Sequence, residues 1–226
     1  MKRTGVKWFM AGLISVVGAT GLVACETFEP IARPLLETEE NLYISINPDS
    51  AESWVLGKLY ETVIERHSRI TVLQLDDNFA ENPFGGLDDG LTDLIIGCTG
   101  SLLEFVDPVQ AEALEAEYLK AQETSEADSN SGEWRDRTYA ALIGSLPPHL
   151  AASDPSNATG CADHNELPQH IVPIYRKPTF PREDRQILNW VSGSLSTTEL
   201  DDLVRVVRAE GETNKVVEDY VASKGG

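Results

Sequence analysis

An α/β fold, with a mostly parallel central sheet flanked by helices, is what this sequence of 226 residues predicts, and three observations carry that expectation. Leu94-Ile95-Ile96 is an uninterrupted apolar run that stops at Gly97-Cys98-Thr99-Gly100-Ser101, the pattern of a parallel strand covered on both faces that ends in a turn and opens a helix. Leu42-Tyr43-Ile44-Ser45-Ile46 and Ile70 to Leu75 read as two further strands. Between them Val55, Leu56, Leu59, Tyr60, Val63 and Ile64 recur at spacings of one, three and four, an apolar stripe at helical period. The order strand, helix, strand, strand implies right-handed parallel crossovers.

The chain opens with Lys2, Arg3 and Lys7 ahead of an apolar stretch from Trp8 to Ala24 that Gly12, Gly18 and Gly21 interrupt. A basic segment, a short apolar segment and small residues form an export signal rather than a retained span, which assigns residues 1–24 to a signal peptide. Leu22-Val23-Ala24-Cys25 matches the lipobox of bacterial lipoproteins, in which the cysteine is lipidated. Each buried methylene contributes about 0.8 kcal/mol, so several acyl chains on Cys25 would anchor the mature protein durably to the outer face of the cell membrane. Residues 25–40, acidic and containing proline, form the tether, and 41–226 the α/β domain.

The formal charge is −19, and loss of the three leader cations makes it more negative. So acidic a chain offers no basic patch for nucleic acid. With Cys25 assigned to lipid, Cys98 and Cys161 are an even pair in an oxidising compartment. That suggests a disulfide closing a loop of roughly 60 residues, worth about 2–4 kcal/mol. Two separate buried thiols are the alternative.

Along the domain, Asp49 or Ser50 can cap the first helix, and Thr99 or Ser101 the helix after the Leu94 strand, where small residues let a ligand approach free backbone N–H groups. Pro108 to Gln122 reads as a helix, Glu123 to Gly132 as a polar loop and Glu133 to Ile143 as another helix. Tyr118, Trp134 and Tyr139 are expected in the core. Ile171 to Lys177 is a strand; Ile187, Leu188, Val191 and Leu195 lie along a helix. Ser196-Thr197-Thr198-Glu199 is a capping box into the next helix, and Val216, Val217, Tyr220 and Val221 mark a last one. The sequence has no Walker loop, His-Glu-x-x-His or Gly-x-Ser-x-Gly, and His149, His164 and His170 match no zinc spacing. No catalysis and no cofactor are therefore expected.

Gly90, Asp93, Leu94, Thr99, Gly100 and Leu103, with Ser101 in place of a threonine, resemble a strand-and-turn segment of the glycine betaine and choline substrate-binding proteins of ABC transporters. Glu52-Ser53-x-x-Leu56 is similar to the start of that family's first helix, and Leu146-Pro147-Pro148 and Ser153 to Thr159 to its crossover between lobes. The likeness covers roughly residues 42–103 and 145–225. It implies a type II periplasmic-binding-protein-like single lobe, because the family's second lobe is largely missing near 160–170. It further implies a small polar or quaternary ammonium ligand, a permease partner, and ligand contacts from Ser53, Trp54, Thr99, Gly100, Ser101 and Asn157. Where the family has Pro, Glu and Tyr, this chain has Ile96, Gly97 and Cys98, so a thiol replaces one aromatic wall and Trp54 is the nearby ring that could stand in. A lobe that docks on a transporter or envelope protein without binding the solute is the alternative.

Overall fold

Side chains of a strand alternate between faces, so a strand apolar at every position must be covered on both. The computed structural model, which describes residues 41–67, 69–123, 132–161 and 165–225, shows this for the Leu94 run. Strand β3 (Leu94–Cys98) sends Leu94, Ile96 and Cys98 into one core cluster and Ile95 into a second on the opposite face. Strand β5 (Ile171–Arg176) divides likewise, with Ile171 and Tyr175 on one side and Val172 and Ile174 on the other.

The five strands stand in the order β2-β1-β3-β5-β4, with β1 at Leu42–Ile46, β2 at Thr71–Leu75 and β4 at Leu150–Ala152. β1 pairs in parallel with β2 and with β3, while β5 is antiparallel to both β3 and β4. Four strands thus run one way and β5 against them, a mixed sheet. Pro173 lies within β5, opposite Ile96. Its carbonyl accepts from the Ser153 N–H at 3.0 Å, and a residue's nitrogen points to the same side as its carbonyl. The missing N–H therefore falls just past the end of β4, where it costs no ladder bond.

On the first face lie α1 (Ala51–Arg66), α6 (Arg182–Ser194), α7 (Thr197–Glu210) and α8 (Thr213–Ser223). Ser50 caps α1 by accepting the Ser53 N–H at 3.1 Å, and Ser196 with Glu199 forms the capping box of α7. Gly57 lets α1 lie close on β1, since a Cβ there would come within 2.4 Å of the Ile46 side chain. The second face carries α2 (Gly85–Asp89), α3 (Thr99–Val106), α4 (Pro108–Glu123) and α5 (Gly132–Ser145). Tyr118 and Trp134 are buried there with ring centroids 5.1 Å apart. The described residues belong to one compact unit with a single sheet. None of the described helices is long and apolar enough to cross a membrane. The signal peptide, Cys25, the tether and most of the loop after Glu123 lie outside the described residues.

Asp93 joins the sheet's parallel and antiparallel halves. Its carboxylate, 8% exposed, accepts the Tyr43 N–H at 3.0 Å and the Thr179 hydroxyl at 3.0 Å and faces Arg176 at 3.4 Å. A buried carboxylate is tolerated only with such partners.

Candidate functional site at the carboxyl ends of the strands

At the carboxyl ends of β1, β2 and β3 the backbone turns away and leaves a cleft of about 440 Å³. Asn47 and the first turn of α1 (Ser50, Glu52, Ser53) line one side, and Gly97, Cys98, Ser101, Leu102 and Phe105 another. Leu56 of α1, Phe79, Ala80 and Pro83 after β2, Cys161, and Arg208 of α7 complete the wall.

Cys98 and Cys161 are bonded as a disulfide, with Cα atoms 6.1 Å apart and a separation of 63 positions in sequence. Cys161 holds a left-handed backbone, φ 51°, unusual for a residue with a side chain. There its N–H donates to Glu52 Oε1 at 3.2 Å. Gly160 permits the approach, since a Cβ at that position would lie 2.4 Å from the same oxygen. Burial pushes the Glu52 carboxyl above its ordinary range, with nearby Asp201 adding to the rise; the Cys161 N–H and Arg208 oppose it.

The residues expected to hold a ligand separate into groups. Ser53 and Ser101 line the cleft. Ser53 Oγ accepts the Asn47 N–H at 2.9 Å, which uses a lone pair and not its proton. Trp54 lines a different cavity, of about 550 Å³, with Lys58, Glu61, Leu73 and the turn between α7 and α8, and its ring N–H donates to Pro48 O at 3.1 Å. Thr99 is fully buried: its hydroxyl donates to Pro168 O at 2.7 Å and accepts the His170 N–H at 3.2 Å. Gly100 lies beneath the same segment, where a Cβ would meet Gln169, Asn165 and Leu167 at 2.7–2.9 Å. Asn157 is exposed and accepts from Arg135 at 2.8 Å.

The cap of α3 is a correction to the sequence reading. Neither Thr99 nor Ser101 supplies it; Cys98 stands at the cap position without a side-chain bond. Instead the Thr99 N–H donates to His170 O at 2.9 Å and the Ser101 N–H to Gln169 Oε1 at 3.0 Å. His170 is also buried, its Nδ1 3.0 Å from Ser156 O, and desolvation lowers its pKa. His149 is exposed beside Asp88, and His164 lies outside the described residues.

Sequence reasoning missed most of the wall, including Glu52, Phe79, Phe105 and Arg208. Phe105 follows Ser101 by one helical turn, and that spacing puts both on one face. Glu52 sits beside Ser53 in the quoted motif. Phe79 and Arg208 carried no local signal, since each reaches the cleft only through the fold.

A mixed five-stranded sheet of this order, covered by helices on both faces and open at the strands' carboxyl ends, is a periplasmic-binding-protein fold. Solved structures of that fold resemble it. Apo YehZ from Escherichia coli matches with a TM-score of 0.57 at 14% identity, covering 82% of this chain and 99% of that one. A protein described as a glycine betaine/carnitine/choline ABC transporter matches at 0.58 and 11%, covering 82% and 98%. At these identities the likeness is one of fold. No protein-family model and no curated protein matches the sequence.

Proposed function

We propose that this chain is the solute-binding component of an ABC importer and that its cleft takes a small quaternary ammonium solute. The observation that carries the reading is the shared wall of Phe79, Phe105 and the Glu52 carboxyl. An aromatic ring attracts a cation by about 0.5–2 kcal/mol, more as water is excluded, and a carboxylate supplies the countercharge. The fold's resemblance to a protein described as a glycine betaine/carnitine/choline ABC transporter supports the same solute class and a permease as partner. The lipobox at Cys25 supports a lipid-anchored position on the extracytoplasmic face of the cell membrane. The role is capture and release without chemical turnover.

Calorimetric titration of the full chain with choline, carnitine and glycine betaine tests this. Saturable heat is expected for at least one of them. Phe105→Ala should weaken it about tenfold, the equivalent of ~1.4 kcal/mol. No heat from any of the three at millimolar solute overturns the reading. One observation favours a second role, an accessory or sensor lobe that docks without solute: the chain's own Gln169 already fills the start of α3. Silence to all three solutes is what that role predicts.

A further inference from the structure

A thiophilic divalent cation such as zinc is held where two thiolates and a third donor converge on one point, with room beside them for a further ligand. Three segments far apart in the chain bring such donors to the wall of the cleft: the first turn of α1 with Glu52, the end of β3 with Cys98, and the segment that carries Cys161. Their donor atoms all lie within 4.8 Å of one another. Positions 52, 98 and 161 make no linear motif, so only the fold reveals the cluster.

The distances suit a metal once the sulfurs are free. At a tetrahedral centre an oxygen at about 2.1 Å and a sulfur at about 2.3 Å stand about 3.6 Å apart, and two sulfurs about 3.8 Å. Glu52 Oε1 already lies 3.8 Å from Cys161 Sγ. The Cys161 N–H, donating to that same oxygen, fixes the carboxylate, and Gly160 leaves it room. With Cα atoms 6.1 Å apart, two unbonded sulfurs reach their separation by rotation about Cα–Cβ alone. Cys98 is fully buried, while Glu52 and Cys161 are half-buried and line the cleft, so a fourth position faces the open side, where water can fill it. Asp201 and Arg208 act on Glu52 with opposite sign, which leaves the thiolates and the carboxylate to set the local charge.

We infer that the reduced chain carries a zinc site made of Cys98, Cys161 and Glu52, and that the disulfide closes it. In the oxidised chain each sulfur is spent on the other and offers no thiolate. A dithiol reductant supplies both electrons. One of its thiolates attacks Cys161 Sγ, the less buried sulfur; the S–S bond breaks, and Cys98 leaves as a thiolate that takes up a proton. The second thiolate of the reductant then attacks its own sulfur in the mixed disulfide. That frees Cys161, which also takes up a proton, and the reductant departs as a disulfide. Zn²⁺ binding afterwards displaces the two thiol protons to solvent with no change of oxidation state.

The test titrates the full chain with Zn²⁺ by calorimetry against a competing chelator, both oxidised and after reduction by dithiothreitol that is then removed without air. Co²⁺ serves as a spectroscopic stand-in. The reduced chain should bind a single zinc at least about a hundredfold more tightly than the oxidised chain and release protons as it does so. With Co²⁺ it should give the near-ultraviolet sulfur-to-metal charge-transfer band that thiolate ligation produces. Glu52→Gln keeps both cysteines, so it should retain that band and weaken zinc about tenfold or more. The same variant separates a folded site from zinc held by an unfolded dithiol, to which a residue 109 positions from Cys161 would make no difference. Equal zinc affinity of the oxidised and reduced chains, absence of the band, or unchanged affinity in Glu52→Gln overturns the inference. None of these results bears on choline binding by the oxidised chain, so the two readings fail separately.

Discussion

Two demands meet on Glu52. Its burial favours the neutral form and raises its pKa above the ordinary 4.5, yet a cation in the cleft is attracted only to the ionised form. Because the folded chain holds this proton to higher pH than the unfolded chain does, the group lowers stability as pH rises from the ordinary value through the raised one. Glu52→Gln should therefore leave the urea midpoint at pH 7 unchanged or slightly higher. Solute affinity runs the opposite way. Choline binding should weaken as pH is lowered through the raised value, because the carboxylate takes up its proton there. In Glu52→Gln, binding should be weaker at pH 7 and flat across the range. A wild-type affinity that does not change with pH would remove Glu52 from the site.

At the scale of elements, the disulfide and the start of α3 show how far a local pattern reaches. The helical stripe of α1, the alternation of β1 and the Ser196–Glu199 capping box are written within a few residues, and the structure has them at those places. The Cys98–Cys161 bond could be read by counting, since the lipobox reading of Cys25 leaves a pair. What holds the first turn of α3 could not, because Gln169 lies 68 residues further on and nothing near Ser101 announces it. β4 has only three residues at a sheet edge, too few for a period, and the reversed direction of β5 leaves no trace in an apolar run that is buried on both faces. The disulfide ties the end of β3 to the segment that carries Asn165 and Gln169. Removing it in a Cys98→Ser/Cys161→Ser variant should cost about 2–4 kcal/mol, read as a lower urea midpoint. An unchanged midpoint would mean that hydrogen bonds alone keep residues 165–170 on α3.

Across the whole molecule, one sheet separates two apolar clusters that never merge, yet each is built partly from alternate residues of the same two strands. Leu188 of α6 is fully buried in the first cluster and Leu142 of α5 in the second. Neither face can be lost without exposing the backs of β3 and β5, so the faces should unfold together despite lying on opposite sides. Leu188→Ala and Leu142→Ala, each expected to cost about 2–5 kcal/mol, test this from both sides. In either variant, urea curves followed by far-ultraviolet circular dichroism and by tryptophan fluorescence should coincide in one transition at a lowered midpoint. If Leu142→Ala instead splits the curve, with the α3–α5 face melting first, then the cleft wall formed by α3 opens independently of the wall formed by α1, and solute capture is coupled to that local melting rather than to a rigid groove.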